Sequence, residues 1–254
     1  MNQRRRPSPG TWRAFRISFS IPLSLPQPRS GPVAESPPHT TIYFHEYTQS
    51  REEKQRMTLD DRLALLGDEV TGGMWADLGA GAGAFTLSLA ERIGPGGRIY
   101  AVDRDERALR ELRDRLSGME RGADPIGPEI ETVAADFSEA LPLRDLDGIL
   151  LANSLHYQRD ACAVLRRLRR LVRPGGKVLV VEYDVRRRSP WVPFPLPAAL
   201  FGTVAECAGL VRPRLIAERP SAYHGRAYSA AAEVPRAGES PDSDRDQLRR
   251  ARGS

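Results

Sequence analysis

The stretch WADLGAGAGAF, residues 75–85, constrains the fold of this chain more than any other feature. A short apolar run leads into three alternate glycines, and a helical pattern follows with Phe85, Leu89 and Ile93 on one face. A glycine turn between a strand and a helix lets backbone approach a ligand closely, because no side chain blocks the way. The stretch predicts a nucleotide-binding loop in an α/β fold, without yet indicating which nucleotide it binds.

Short β-rich segments alternate with helical patterns on both sides of this loop. The helix before the loop is expected to end near residue 66, with Leu59, Leu63 and Leu66 as its apolar face, and a later helix is expected to end at RPGG. This alternation is typical of a parallel sheet covered by helices. The predicted parallel strands are MWADLG, GRIYAVD, IETVAAD, LDGILLAN and KVLVVEYD, and VRPRLIAERP and AYHGRAYSA are predicted to be two further strands joined by a short turn.

Composition divides the chain into one domain with two tails. Residues 1–40 are rich in Arg, Pro and Ser without a sustained period and are predicted to be a disordered arm, and 231–254 a disordered polar tail. One domain is expected over residues 41–230. The arm holds six arginines and one glutamate, whereas residues 41–254 hold 32 basic and 32 acidic residues. The net charge of +5 is therefore no argument for nucleic-acid binding by the domain.

The two cysteines and the lack of long apolar runs indicate a cytoplasmic protein. Cys162 and Cys207 lie far apart, without zinc-ligand spacing, and are expected to be ordinary thiols in a reducing compartment, not a disulfide. No apolar run reaches the roughly 18 residues that span a bilayer. The segment FRISFSIPLSLP is interrupted by prolines and lacks a cleavage pattern, which argues against a signal peptide.

Acidic residues at the ends of the predicted strands narrow the choice of nucleotide. Asp77 stands two residues before the first glycine, where it repels a pyrophosphate but suits an ammonium group. Asp103 ends the second strand, where it suits two ribose hydroxyls, a feature that NAD shares. Asp136 and Phe137 suit the edge and face of an adenine. S-Adenosylmethionine carries an ammonium, a ribose and an adenine but no phosphate, so it fits this combination.

Taken together, these motifs resemble the class I S-adenosylmethionine-dependent methyltransferases. The matching segments are DLGAGAG, VDRD, AADF, LLANSLHY and LVRPGGKVLVVEYD, in order, over about residues 70–184. The resemblance implies a Rossmann-like three-layer α/β sandwich with a mostly parallel seven-stranded sheet and a C-terminal antiparallel hairpin. It also implies that S-adenosylmethionine is bound by Asp77, Gly79, Ala80, Gly81, Asp103, Arg104, Asp136, Phe137 and Asn153.

The substrate side is less constrained. Polar residues near the ends of the fourth and fifth strands are candidates for catalysis, namely His156, Glu182 and Tyr183. Candidates for substrate binding are Tyr43, His45, Tyr157, Trp191 and Phe194. The fourth strand lacks the Asn/Asp-Pro-Pro-aromatic tetrad of enzymes that methylate exocyclic amines, and neither cysteine follows a proline. We therefore expect methylation of an O, N or C atom of a small molecule, without metal, membrane or nucleic acid, by a monomer or homodimer.

Three other functions stay open at this point. The chain could methylate RNA or protein, it could bind the cofactor as a non-catalytic partner module, or it could be an NAD-binding oxidoreductase. The glycine pattern fits the dinucleotide form as well, so the acidic residues around it carry the distinction.

Overall fold

A computed structural model describes residues 57–119, 127–221 and 225–239 of the 254-residue chain. Helices and strands alternate in these ranges as the sequence predicts. The helices are α1 (Leu59–Leu66), α2 (Ala84–Ile93), α3 (Glu106–Met119), α4 (Ala161–Leu168) and α5 (Ala198–Cys207). The strands are β1 (Met74–Leu78), β2 (Arg98–Asp103), β3 (Glu129–Ala134), β4 (Leu146–Ala152), β5 (Val172–Tyr183), β6 (Val211–Ser221) and β7 (Gly225–Glu233). Single 3₁₀ turns follow β4 (Leu155–Tyr157) and α4 (Arg169–Leu171).

All seven strands form one sheet in the order β3-β2-β1-β4-β5-β7-β6. Strands β1 to β5 are parallel, and β7 lies antiparallel between β5 and β6. The predicted mostly parallel sheet with a C-terminal antiparallel hairpin is confirmed. The order of the strands reverses between β1 and β4, and at such a point the loops diverge and leave a crevice at the carboxyl ends of the strands.

Helices cover both faces of the sheet. Buried residues of α4 and α5, such as Leu165 and Phe201, pack on one face with Ile149 of β4. Leu66 of α1 and Leu89 of α2 pack on the other face, where α3 also lies. Successive residues of β4 and β5 alternate between these two cores, as the two-residue period of a strand requires. The molecule is thus the three-layer sandwich that the sequence predicts.

The first helix and the end of the domain differ from the sequence-based prediction. Of the predicted apolar face of α1, Leu66 is buried but Leu59 is exposed, and the neighbouring Leu65 is buried instead. The predicted boundary at residue 230 is also wrong, because β7 continues to Glu233 with its last residues paired to β5. Ala231 and Ala232 are buried in β7, but alanine is also common in polar tails, so the composition of this segment did not identify it as a strand. The predicted disordered arm, residues 1–40, lies outside the described residues.

The prediction of two free thiols is wrong. Cys162, in the first turn of α4, and Cys207, at the end of α5, form a disulfide with a Cα–Cα distance of 5.8 Å. The two helices pack on the same face of the sheet and bring together cysteines that are 45 residues apart in sequence.

In the described part of the chain, no helix combines the length and hydrophobicity that crossing a bilayer requires.

Candidate functional site

The glycine-rich loop joins β1 to α2 in a backbone conformation that needs glycine. Gly79, Gly81 and Gly83 all have positive φ angles, of 85°, 54° and 80°. At Gly79 a Cβ atom would lie 2.5 Å from Cβ of Ser154, which follows β4. The absence of a side chain at Gly79 therefore lets the ends of β1 and β4 approach each other at the edge of the sheet.

Asp103, the last residue of β2, connects this loop to the start of α3. One carboxylate oxygen accepts a hydrogen bond from the Gly81 backbone N–H at 2.7 Å, and the other accepts from the Asp105 N–H at 2.9 Å. Each carboxylate oxygen has a second lone pair, so both can accept a further hydrogen bond from a ligand. Asp103 is thus held in place by backbone while it keeps its capacity to accept hydrogen bonds from ribose hydroxyls.

A cavity of about 490 Å³ opens at the carboxyl ends of β1 to β4. Seven of the nine predicted cofactor residues line it, together with one predicted substrate residue, Tyr157. The lining residues are Gly79, Gly81, Asp103, Arg104, Asp105, Ala108, Ala135, Asp136, Phe137, Asn153, Ser154, Tyr157 and Gln158. This volume is in the range of small-molecule sites, roughly 300–1,000 Å³.

The sequence-based prediction missed five of these lining residues. One of them, Ser154, connects two strand ends. Its hydroxyl donates a 2.7 Å hydrogen bond to the carbonyl oxygen of Leu78, which joins the end of β4 to the end of β1. Ser154 follows Asn153 directly in the segment NSLHY, so its place beside a strand end was the available signal. The other missed residues, Asp105, Ala108, Ala135 and Gln158, also lie within a few positions of predicted site residues.

Asp136 and Phe137 line the cavity just after the carboxyl end of β3. The Asp136 carboxylate accepts the Ser138 backbone N–H at 2.7 Å and lies 3.7 Å from the Arg104 guanidinium. Hydrogen bonds from Ser138 hold the pKa of Asp136 below its usual range, and the charge of Arg104 adds to this effect. Asp136 is therefore an anion that can accept a hydrogen bond, next to the largely buried ring of Phe137.

Two buried oxygen atoms near the glycine loop have no hydrogen-bond partner among the described residues. They are Oδ1 of Asp77, in β1, and Oδ1 of Asn153, just after β4, whose backbone has a positive φ of 52°. A buried acceptor without a donor is costly, so such atoms in a cavity wall or beside it indicate a missing donor. The ammonium group of S-adenosylmethionine offers three donors, and these residues fit it.

Asp77 is held apart from solvent. Its second oxygen accepts a 2.7 Å hydrogen bond from the Thr86 hydroxyl of α2. Burial raises the pKa of Asp77 to about 7, the nearby charge of Asp103 acts in the same direction, and the Thr86 hydrogen bond acts against both. Asp77 therefore changes its charge near neutral pH. Asp77 and Ala80 are the two predicted cofactor residues that do not line the cavity.

His156 and Glu182 form a pair inside the protein, with exposed fractions of 2% and 1%. Neither side chain lines the cavity, and neither does that of Tyr183, whose ring centre lies 6.1 Å from that of His156. Tyr157, the next residue in the chain, is 53% exposed and does line the cavity. The three predicted catalytic residues therefore lie close to one another, but their side chains do not line the cavity.

The remaining predicted substrate residues lie away from the cavity or outside the described residues. Trp191 is 74% exposed, and Phe194 is half-buried with the Arg188 guanidinium 5.2 Å from its ring centre. Neither lines the cavity. Tyr43 and His45 belong to the part of the chain that is not described, and their role stays a prediction.

Comparisons with known proteins find similarity to methyltransferases. Residues 76–176 match the family described as "Methyltransferase domain". The chain is 33% identical over 110 residues to the ubiquinone/menaquinone biosynthesis C-methyltransferase UbiE of Cupriavidus pinatubonensis, with 42% of each chain covered. It is 28% identical over 185 residues to UbiE of Pseudomonas entomophila, with 63% of this chain and 69% of the relative covered. Thus the chain matches less than half of the first relative's length.

A solved structure shares the fold. A SAM-dependent methyltransferase from Aquifex aeolicus superposes with a TM-score of 0.53 at 18% identity, over 73% of this chain and 97% of that one. At this identity the similarity concerns the arrangement of strands and helices.

Proposed function

The chain belongs to the class I S-adenosylmethionine-dependent methyltransferases, and from that premise we propose that it methylates an O, N or C atom of a small-molecule acceptor. The observation that carries this proposal is the cavity of about 490 Å³, which is lined by the glycine loop and by the strand-end acids in one continuous wall. Tyr157 in that wall is half exposed and is therefore available for contact with an acceptor. A folded protein or RNA substrate is not part of this proposal.

We assign the cofactor contacts from the polar groups around the cavity. Asp103 would accept hydrogen bonds from the ribose hydroxyls, and the orphaned oxygens of Asp77 and Asn153 would accept them from the ammonium group. Asp136 and Phe137 would hold the adenine edge and face. When bound, S-adenosylmethionine supplies a methyl group on a sulfonium that is already activated for transfer.

The residues of the chain then have to orient the acceptor and exclude water from the site. Tyr157 is the described residue best placed for acceptor contact, since it lines the cavity and is half exposed. A base is required only for an acceptor that must lose a proton. We propose His156 as the base for such an acceptor. Glu182 and Tyr183 contact its ring and would assist it. Because the His156 ring is buried, this role requires the 3₁₀ turn to open toward the acceptor.

Similarity to proteins named C-methyltransferases supports a carbon acceptor over oxygen or nitrogen. The proposal also includes transfer without a metal ion, by a monomer or homodimer, in the cytoplasm. The Cys162–Cys207 disulfide fits an oxidising compartment better than the cytoplasm, because disulfides are rare where thiols are kept reduced, so the redox state of the two cysteines in the cell tests the location. Trapping free thiols during lysis and counting the blocked cysteines tests this point.

The proposed function is tested with the full chain and methyl-labelled S-adenosylmethionine. Small-molecule, RNA and protein fractions of a cell extract are offered as separate acceptors, and Asp103→Ala serves as the cofactor-binding control. We expect label in the small-molecule fraction, and much less label with the variant when the cofactor concentration is below saturation. Label that appears only in RNA or protein, or in no fraction, contradicts the proposal.

A further inference from the structure

The loop between β5 and α5 holds an aromatic side chain out into solvent. Ser189 and Val192 close a tight turn, since each backbone N–H donates to the other's carbonyl oxygen at 3.1 Å and 3.2 Å, and the Ser189 hydroxyl accepts a third hydrogen bond at 3.0 Å. Val192 is buried in the core, whereas Trp191, at the tip of the turn beside Pro190, is 74% exposed. The closed turn and the buried Val192 place the Trp191 backbone at the protein surface, where its indole is exposed.

Positive charge precedes this turn. Arg186, Arg187 and Arg188 are exposed, and none forms an ion pair with a carboxylate in the described ranges. The neighbouring acid, Asp184, is engaged as an acceptor of the Ala198 backbone N–H at 3.1 Å. These three arginines, of which Arg188 packs on the Phe194 ring, precede an exposed tryptophan, so the segment is both basic and apolar. We call residues 185–197 the Arg–Trp loop.

The Arg–Trp loop lies next to the cavity. The backbone N–H of Phe194 donates a 3.0 Å hydrogen bond to the carbonyl oxygen of His156, in the 3₁₀ turn after β4. The following residue, Tyr157, lines the cavity. A surface that bound the loop would therefore lie close to Tyr157 on the acceptor side of the site.

We propose that the Arg–Trp loop docks the protein on an anionic lipid surface, so that the cavity receives an acceptor that is itself dissolved in the bilayer. Arginine side chains are attracted to anionic headgroups, and tryptophan prefers the boundary between headgroups and acyl chains. Leu200, half exposed in the first turn of α5, adds an apolar side chain to the same connection. The part of this inference that concerns the acceptor rests on the proposed function, whereas docking on the lipid surface is independent of it.

An RNA strand is the other ligand that basic and aromatic residues attract, but the loop suits it less well. Bases stack on free aromatic faces, and the face of Phe194 already carries the Arg188 guanidinium. The free ring, Trp191, stands at a turn tip beside a proline and not in a groove. The proposal revises the sequence-based expectation that no membrane is involved, which rested on the lack of a spanning segment; a surface patch of this kind has no such signature.

The test is co-sedimentation of the full chain with vesicles of phosphatidylcholine alone or mixed with phosphatidylglycerol. We expect binding to the anionic vesicles only, weakened by salt. The double variant Arg186→Glu/Arg187→Glu should bind at least tenfold more weakly, and Trp191→Ser should also weaken binding. The matched control is Arg144→Glu/Arg170→Glu, which changes the charge equally at the opposite edge of the sheet and should stay within about twofold of the unmodified chain.

The inference is overturned if the unmodified chain does not bind anionic vesicles, if the control loses as much binding as the loop variant, or if the Trp191→Ser protein binds normally. Binding of single-stranded RNA that the loop variants lose, without vesicle binding, also overturns it in favour of a nucleic-acid surface. Titration of the same proteins with S-adenosylhomocysteine in solution separates the two proposals. Vesicle binding can fail while the cofactor still binds, and cofactor binding can fail while the vesicles still bind.

Discussion

The carboxylate of Glu182, in β5, holds His156 by both its backbone and its ring. Oε1 accepts the His156 N–H at 3.1 Å and the Leu155 N–H at 3.0 Å, and Oε2 lies 2.5 Å from His156 Nδ1. One buried carboxylate thus fixes the whole 3₁₀ turn that carries Tyr157 into the cavity wall. The arrangement supports a positioning role for Glu182, and the same three contacts oppose the opening of the turn that a base role of His156 requires.

Glu182→Gln should destabilise the protein by about 1–3 kcal/mol, because an amide replaces one acceptor oxygen and leaves a buried donor unmatched. Urea unfolding measures the change, with the exposed Glu131→Gln in β3 as a matched control that should have little effect. An unchanged unfolding free energy would show that the turn does not depend on this carboxylate.

His156→Gln separates the two roles of the histidine. If His156 is the base, methyl transfer should fall by roughly 10²–10⁴-fold while the affinity for S-adenosylhomocysteine stays unchanged. A variant that transfers methyl groups at a similar rate would leave His156 with a positioning role only.

Asp103→Ala should weaken binding of S-adenosylhomocysteine tenfold or more. The loss of a charged acceptor for two hydroxyls costs about 1.5–3 kcal/mol, and the glycine loop loses its hydrogen bond at Gly81 as well. Calorimetric titration checks the value, with the exposed Asp114→Ala in α3 as control. A dissociation constant like that of the unmodified chain would remove the ribose assignment.

Asp77 should make cofactor binding depend on pH. Its pKa is raised to about 7 by burial, and only the ionised form attracts an ammonium group strongly, so affinity should rise as the pH increases through about 7. Binding should release a proton, which titrations in buffers of different ionisation enthalpy detect. Asp77→Asn should bind more weakly and without this pH dependence. An affinity for the unmodified chain that does not change with pH contradicts the assignment.

The same raised pKa has a consequence for folding. The folded protein holds the Asp77 proton to a higher pH than the unfolded chain does, so this contribution to stability is present below the unfolded pKa, near 4, and is lost as the pH rises through about 7. Asp77→Asn stays neutral, so relative to the unmodified chain its unfolding free energy should increase over that interval. No change in this difference with pH would indicate an ordinary pKa.

Sequence reasoning found the features that neighbouring residues encode. The glycine loop, the strand-end acids and the alternation of strands and helices all depend on short spacings, and each of these predictions has a counterpart in the fold. Features that depend on packing between distant segments were missed. The burial of His156 follows from Glu182, 26 residues later, and the Cys162–Cys207 disulfide follows from the packing of α4 on α5. Helix and strand periodicity concerns residues a few positions apart, so it does not predict contacts between distant segments.

Reduction of the disulfide should lower the unfolding free energy by about 2–4 kcal/mol, since the bond closes a loop of 45 residues in the unfolded chain. Urea unfolding with and without a phosphine reductant measures the effect, and Cys162→Ser/Cys207→Ser should not respond to the reductant. Equal stability of the oxidised and reduced protein, or two titratable thiols in oxidised samples, would contradict the pairing.

The central claim is that the cavity beside Gly79, Asp103 and Asp136 is a site for S-adenosylmethionine. Isothermal titration of the full chain with S-adenosylhomocysteine and, separately, with NAD tests it most directly. We expect one-to-one binding of S-adenosylhomocysteine and no heat from NAD, since Asp77 disfavours a pyrophosphate at the glycine loop. Binding of NAD without binding of S-adenosylhomocysteine would contradict the account.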